Sequence, residues 1–217
     1  MPFSQLRPDI PAPMPLIQGL LLVGCLWFVN LTNFMDGVDL ITAAEVVPIT
    51  AALAALGATS GLPTYGVVLA IALCGAMIGF APFNKPVAKL FLGDVGSLPI
   101  GLLLACLLVL LAGSGHLAAA ILLPLYYLAD ATITLLRRLM NGERVWEAHR
   151  SHFYQRAMAG GFKVIEIVTL VFAANVILAL LAWATVRWAS PFVWVVALTV
   201  GGAVVSALLV SFSRSRT

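Results

Sequence analysis

The sequence predicts an all-α fold: a polytopic transmembrane helical bundle of about seven crossings, with its N-terminus outside and its C-terminus cytoplasmic. Three observations predict it. Of 217 residues, 62% are hydrophobic and only 10% are charged, against about 25% charged in a soluble domain. No Asp, Glu, Lys or Arg occurs from 10 to 35, 46 to 84, 95 to 129, 167 to 186 or 188 to 213. A helix needs about 20 apolar residues to cross a bilayer, so each run holds one crossing and the longer runs hold two. The third observation is the sidedness of the basic residues once those crossings are drawn.

Residues 1–15 form a lead-in broken by Pro2, Pro8, Pro11, Pro13 and Pro15. They read as an extracytoplasmic segment and not as a secretory signal. The transmembrane domain follows at 16–210, with crossings expected near 16–33, 43–60, 64–81, 97–113, 117–136, 164–186 and 191–210, and a basic tail at 211–217 closes the chain. Turn-rich residues separate the second and third crossings (Gly57-Ala-Thr-Ser-Gly-Leu-Pro63), and Gly113-Ser-Gly-His116 separates the fourth and fifth. With Met1 outside, Lys85, Lys89, Arg137, Arg138, Arg144, Arg150, Arg156, Lys163, Arg214 and Arg216 fall inside, and only Arg7 and Arg187 fall outside. That asymmetry predicts a cytoplasmic working face in a cell inner membrane.

Composition also excludes. The net charge of +3 is small and its carriers flank membrane segments, which argues against nucleic acid as a partner. Cys25, Cys74 and Cys106 all lie in apolar runs and read as small buried hydrophobes, not as a disulfide frame or metal site. Gly75-Ala-Met-Ile-Gly79 is a small-residue repeat expected to serve helix packing.

Three polar segments are left on the predicted cytoplasmic side. In Asn33-Phe-Met-Asp-Gly-Val-Asp39, Asp36 and Asp39 are three apart and share a face if the turn is helical; either a cation lies between them or one caps a helix. The second runs from Asn84 through Lys85, Lys89, Phe91, Gly93, Asp94 and Gly96 to Ser97. An acid at the mouth of an apolar helix is costly without a partner, which makes Asp94 the most informative residue of the chain. Its oxygen-rich surroundings suit Mg²⁺ together with substrate phosphates. Lys85 and Lys89 serve either an anionic substrate or the membrane interface.

The third segment, 137–161, carries Arg137, Arg138, Arg144, His149, Arg150, His152 and Arg156. On a helix His149 and His152 share a face. Two histidines without a third ligand make a poor zinc site, whereas arginines with histidines suit pyrophosphate; an ordinary basic loop is the bland alternative. Asp130 lies inside the fifth crossing, about 10 Å along the helix from Arg137. It is either a functional acid or a structural partner of Arg137 or Arg138.

Taken in order, Asn33-Phe-Met-Asp-Gly-Val-Asp39, Phe91-Leu-Gly-Asp-Val-Gly-Ser97 and Ala148-His-Arg-Ser-His-Phe-Tyr-Gln155 resemble the polyprenyl-phosphate N-acetylhexosamine-1-phosphate transferases, glycosyltransferase family 4. The third motif looks like the branch that serves O-antigen, lipopolysaccharide and capsule synthesis. The resemblance runs from about Leu16 to the end. It implies a Mg²⁺-dependent enzyme (Mn²⁺ as the alternative) that transfers a sugar 1-phosphate from a UDP-N-acetylhexosamine to undecaprenyl phosphate and releases UMP. By motif, Asp94 is the implied metal ligand and Phe91 the platform for uracil. Asn33, Asp36, Asp39 and Asn84 line the nucleotide and metal pocket, with Lys89 beside them. His149, Arg150 and His152 hold the pyrophosphate or lipid phosphate.

Two departures qualify the resemblance. The family carries paired aspartates on an earlier cytoplasmic loop, and this sequence has no adjacent Asp-Asp. That implies a chain corresponding to the C-terminal two-thirds of such an enzyme, completed by an upstream half or a homodimer. Leu40 stands where the family usually has glycine. A non-catalytic member that binds lipid phosphate or partner helices is the alternative reading. A transporter is the third, suggested by Asp130 and broken helices and disfavoured by the lack of an inverted repeat.

Overall fold

The computed structural model describes residues 13–57, 59–144 and 150–214, and their only regular secondary structure is helical. Nine helices follow in order among these residues: α1 (Met14–Met35), α2 (Ile41–Leu56), α3 (Thr64–Asn84), α4 (Gly93–Gly113), α5 (Leu117–Leu122), α6 (Leu125–Met140), α7 (Phe153–Ala159), α8 (Val164–Arg187) and α9 (Pro191–Ser213). Five of them, α1, α3, α4, α8 and α9, are long and apolar enough to cross a membrane, and α2 is a shorter apolar helix.

The expected fifth crossing is not one helix. Residues 117–136 divide into α5 and α6, because Pro124 has no N–H to continue the ladder and its ring excludes the preceding turn from a regular helix. α4 differs at its start. It begins at Gly93, not near 97, so Asp94 sits in its first turn, where an acid is favoured by the helix dipole.

α2 is the innermost helix. It packs on α3 and on α8, and its buried residues run from Ile41 to Leu56 around its circumference, as expected of a helix that is apolar on every side. α1 packs along α4. A Cβ on Gly101 would lie 3.0 Å from the Val29 Cα, so only glycine permits that approach. α8 continues the bundle through α9.

Pro48 lies inside α2, so the Ala44 carbonyl has no N–H four residues on to accept. Asn175 of α8 fills that gap. Its Nδ2 donates to Ala44 O at 3.2 Å and to Glu45 Oε2 at 2.6 Å. Both side chains are buried, with Glu45 only 1% exposed, and Glu45 Oε1 and Asn175 Oδ1 have no hydrogen-bond partner. One amide thus repairs a proline defect and fastens two helices.

Two packing expectations change. None of the three cysteines is fully buried, and Cys106 is exposed. Added Cβ atoms on Gly75 or Gly79 would meet nothing within 4 Å, so the small-residue repeat packs against no other part of the described chain.

Candidate active site

α1 ends at Met35, and Asp36 to Leu40 form the tight connection into α2. The helical face expected to unite Asp36 and Asp39 therefore does not exist. The two carboxylates are held separately: Asp36 Oδ1 accepts from Thr42 Oγ1 at 2.5 Å, and Asp39 Oδ2 accepts from the Ala88 N–H at 3.2 Å. Thr42 Oγ1 also lies 3.3 Å from the Tyr127 hydroxyl. Burial pushes the Asp36 carboxyl up to about 6, against the opposing pull of the Thr42 hydrogen bond. It changes charge close to neutral pH.

The turn closes on a left-handed residue. Leu40 has φ +65° and is the one non-glycine with positive φ among the described residues. That conformation crowds a Cβ and suits glycine, which gives the physical reason for glycine at this place in the resembling family. The Leu40 N–H donates to Asn84 Oδ1 at 2.7 Å, and Asn84 Nδ2 donates to Leu90 O at 2.8 Å. Asn84 is buried and braces the 84–92 loop against the turn.

Asn33, on the last turn of α1, reaches the start of α4. Its Nδ2 lies 2.8 Å from both Asp94 Oδ1 and Ser97 Oγ, and Ser97 Oγ donates to Gly93 O at 2.9 Å. Asp94 remains exposed to solvent, as do Lys89 and Phe91, the last at 69%. The third segment meets the same turn from another side. Tyr154 of α7 donates its hydroxyl to Phe34 O at 3.3 Å, and a Cβ on Gly37 would collide with that hydroxyl. Burial pushes the Tyr154 phenol up, so it stays a neutral donor. Residues remote in sequence thus converge at one end of the helices.

His149 lies outside the described residues. His152 is not on an extended helical face with it: Arg150 and Ser151 are non-helical and His152 precedes α7. Asp130 pairs with neither Arg137 nor Arg138. Its buried carboxylate takes His152 Nδ1 at 3.2 Å, while Arg138 binds Glu143 at 2.8 Å and Arg144 O at 2.9 Å. Past this contact a pocket of about 320 Å³ opens, lined by Thr134, Arg137, Arg138, Glu143, Arg150, Ser151 and Arg156. With one acid against four arginines, it suits an anion.

Sequence reasoning passed over Thr42, Tyr127 and Tyr154, which carry no charge and touch the turn only through the fold. It also passed over Glu45 and Asn175. Glu45 had a usable signal, an acid flanked by apolar sequence. Among the described residues no three His, Cys, Asp or Glu side chains gather as metal ligands. The Asp94 carboxylate is nevertheless exposed, with Oδ1 steadied by the Asn33 amide. That fits a Mg²⁺ ion, which typically keeps waters and substrate oxygens and takes only one or two carboxylates.

The family description Glycosyl transferase family 4 matches residues 2–112. The chain is 30% identical over 181 residues to a probable undecaprenyl-phosphate N-acetylglucosaminyl 1-phosphate transferase of Bacillus subtilis, covering 77% of this chain and 49% of that protein. It is 33% identical over 166 residues to a phospho-N-acetylmuramoyl-pentapeptide-transferase of Synechococcus, covering 74% and 47%. A decaprenyl-phosphate N-acetylglucosaminephosphotransferase of Mycobacterium tuberculosis is 29% identical over 167 residues, covering 66% and 41%. The chain spans about half the length of the curated relatives it matches. A match across half of this sequence, through the Asn33–Asp39 turn and the Asp94 loop, places this multi-pass membrane protein in glycosyl transferase family 4.

Proposed function

We propose that this chain carries a phosphoglycosyl transferase site that moves an N-acetylhexosamine 1-phosphate from a UDP-sugar to undecaprenyl phosphate, releasing UMP. This is the first membrane step of cell-surface glycan synthesis, carried out at the cytoplasmic face of the inner membrane. The observation that carries the reading is the Asn33 amide bonded at once to Asp94 and Ser97, with Asn84 tying the same turn to the intervening loop. The relatives' names supply the reaction class; the O-antigen and capsule branch rests on the third motif.

The bond formed joins a lipid phosphate oxygen to the phosphorus that carries the sugar. The bond broken joins that phosphorus to the oxygen that departs with UMP. Two anions must approach each other, so positioned positive charge is what the reaction needs most. Asp94 would hold Mg²⁺, which when bound neutralises phosphate charge. Asn33 fixes the Asp94 rotamer. Phe91, exposed beside it, offers a face for uracil, and Lys89 adds a cation at the rim. Asp36 is the acid–base group of the turn, with Asp39 anchoring the loop that frames it. Arg150 and the arginine-lined pocket, with His149 on the same segment, receive the diphosphate or lipid phosphate, while His152, expected to share that task, is buried against Asp130 and does not line the pocket.

The test is UMP release from UDP-N-acetylhexosamine by the purified chain in lipid nanodiscs containing undecaprenyl phosphate. Release should require Mg²⁺ and disappear in Asp94→Asn. Turnover that survives this substitution would remove Asp94 from the metal role.

A further inference from the structure

We infer that Asp130 is a positioning residue that assembles the arginine-lined pocket by fastening α7 to α6, and that it acts on anion binding without touching the anion. The inference rests on the phosphate-binding reading of that pocket.

Asp130 is wholly buried, at 0% exposure. Its Oδ1 takes Phe153 N–H at 3.0 Å, His152 Nδ1 at 3.2 Å and Thr134 Oγ1 at 3.3 Å. Its Oδ2 takes Tyr154 N–H and the Tyr126 hydroxyl, each at 3.3 Å. Phe153 and Tyr154 are the first two residues of α7, whose N–H groups have no partner inside their own helix. Asp130 therefore caps α7 from another helix, 23 and 24 residues away. The contact with His152 Nδ1 also holds the ring in place, and the ring stacks on Tyr154 at 5.8 Å.

The consequence lies one to two turns further on. Thr134, Arg137 and Arg138 follow Asp130 on α6, while Arg150 and Ser151 precede the capped end of α7 and Arg156 lies within it. Glu143 engages Arg138, and Arg137 of α6, Arg150 ahead of α7 and Arg156 of α7 face the same 320 Å³ space. Like charges so placed repel. A buried carboxylate gripping backbone N–H groups of α7 opposes that spreading and sets the spacing of Arg137 against Arg150 and Arg156. The short carboxylate arm allows this only while both of its oxygens accept.

The experiment is isothermal titration of inorganic pyrophosphate into the whole chain in detergent, with Asp130→Asn, Arg156→Gln and the double variant alongside. Asp130→Asn should weaken binding at least tenfold. Arg156→Gln should do likewise, and the double variant should lose much less than the product of the two. A cap that only held α7 in place would lower the melting temperature and leave the affinity of the folded fraction unchanged, and that result would overturn the inference. If Asp130→Asn fails to fold, Tyr126→Phe removes one hydrogen bond to Asp130 outside the pocket. It should weaken binding two- to fivefold, and unchanged affinity there counts against the inference equally. No binding by the unsubstituted chain would end the pocket reading and this inference together. Binding that the Asp130 and Tyr126 variants leave intact would end this inference alone.

Discussion

Asp94 and Asp130 are both acids set in apolar sequence, yet the protein treats them in opposite ways. Asp94 stands exposed in the first turn of α4, with Asn33 as its side-chain donor. Asp130 is sealed inside the bundle and takes five donors. An acid whose acceptors are filled by protein has little left for a ligand, whereas one held by a single amide keeps an oxygen to offer. Acceptor saturation, more than depth in the fold, separates the two roles.

The largest test of that contrast sets activity against stability. Asp94→Asn should cut UMP release by at least about 10²-fold and leave the melting temperature in detergent within experimental scatter, because it breaks no packing. Asn175→Leu should do the reverse to the fold. It leaves Ala44 O and the Glu45 carboxylate unpartnered inside the bundle, at about 1–3 kcal/mol for each buried group, and thermal unfolding should show the loss. Glu45→Gln is the control, since its amide can still accept from Asn175 Nδ2 and can donate to the unpartnered Asn175 Oδ1. It should melt within a few degrees of the parent, and a collapse there would mean that the clamp depends on charge and not on hydrogen-bond complementarity.

A smaller effect is expected at Asp36, which lies between the two extremes of burial. Its carboxyl is raised from an ordinary value of about 3.9 to about 6 by desolvation. The folded state therefore binds the proton more tightly than the unfolded chain, and the stabilising contribution is complete below about 3.9 and lost as pH rises through about 6. Relative to Asp36→Asn, the parent melting temperature should fall across that window and level off above it. If the carboxylate is the active form, UMP release should rise as pH passes through about 6, the folded value alone. A flat difference curve would contradict the burial of Asp36.

Much of the helical layout was legible because each bilayer-length apolar run has few other stable solutions. The exposed position of Asp94 beside an apolar run was legible as well, although α4 takes it into its first turn and not into a loop. The Asp36–Asp39 geometry was not, because three-residue spacing implies a shared face only on a helix, and α1 stops at Met35. The partner of Asp130 was hidden for a different reason. Sequence proximity favoured Arg137 and Arg138, whereas His152 reaches it from 22 residues away once the chain after α6 returns to place the start of α7 against Asp130. Pro48 marked a broken ladder, but nothing local named Asn175, 131 residues beyond Ala44, as its repair.

The smallest expected effect concerns Leu40, where one leucine can be compared with another. Leu31 of α1 is fully buried; exchanging it for glycine opens a cavity worth about 2–5 kcal/mol and adds about 1 kcal/mol of helix penalty. Leu40 is half-buried against the core and held at φ +65°. Glycine there releases about 1–2 kcal/mol of left-handed strain, against about 1 kcal/mol of lost partial burial and roughly 0.5–1 kcal/mol of added chain freedom. These contributions nearly cancel, so Leu40→Gly should change stability by under about 1 kcal/mol, while Leu31→Gly should unfold the protein many degrees earlier. Leu40→Val should fall between them, because a β-branched side chain tolerates positive φ less well than leucine. If Leu40→Gly melted as early as Leu31→Gly, the turn would depend on the Leu40 side chain more than on its backbone. The bond from the Leu40 N–H to Asn84 would then no longer account for how the Asn33–Asp39 turn holds its shape.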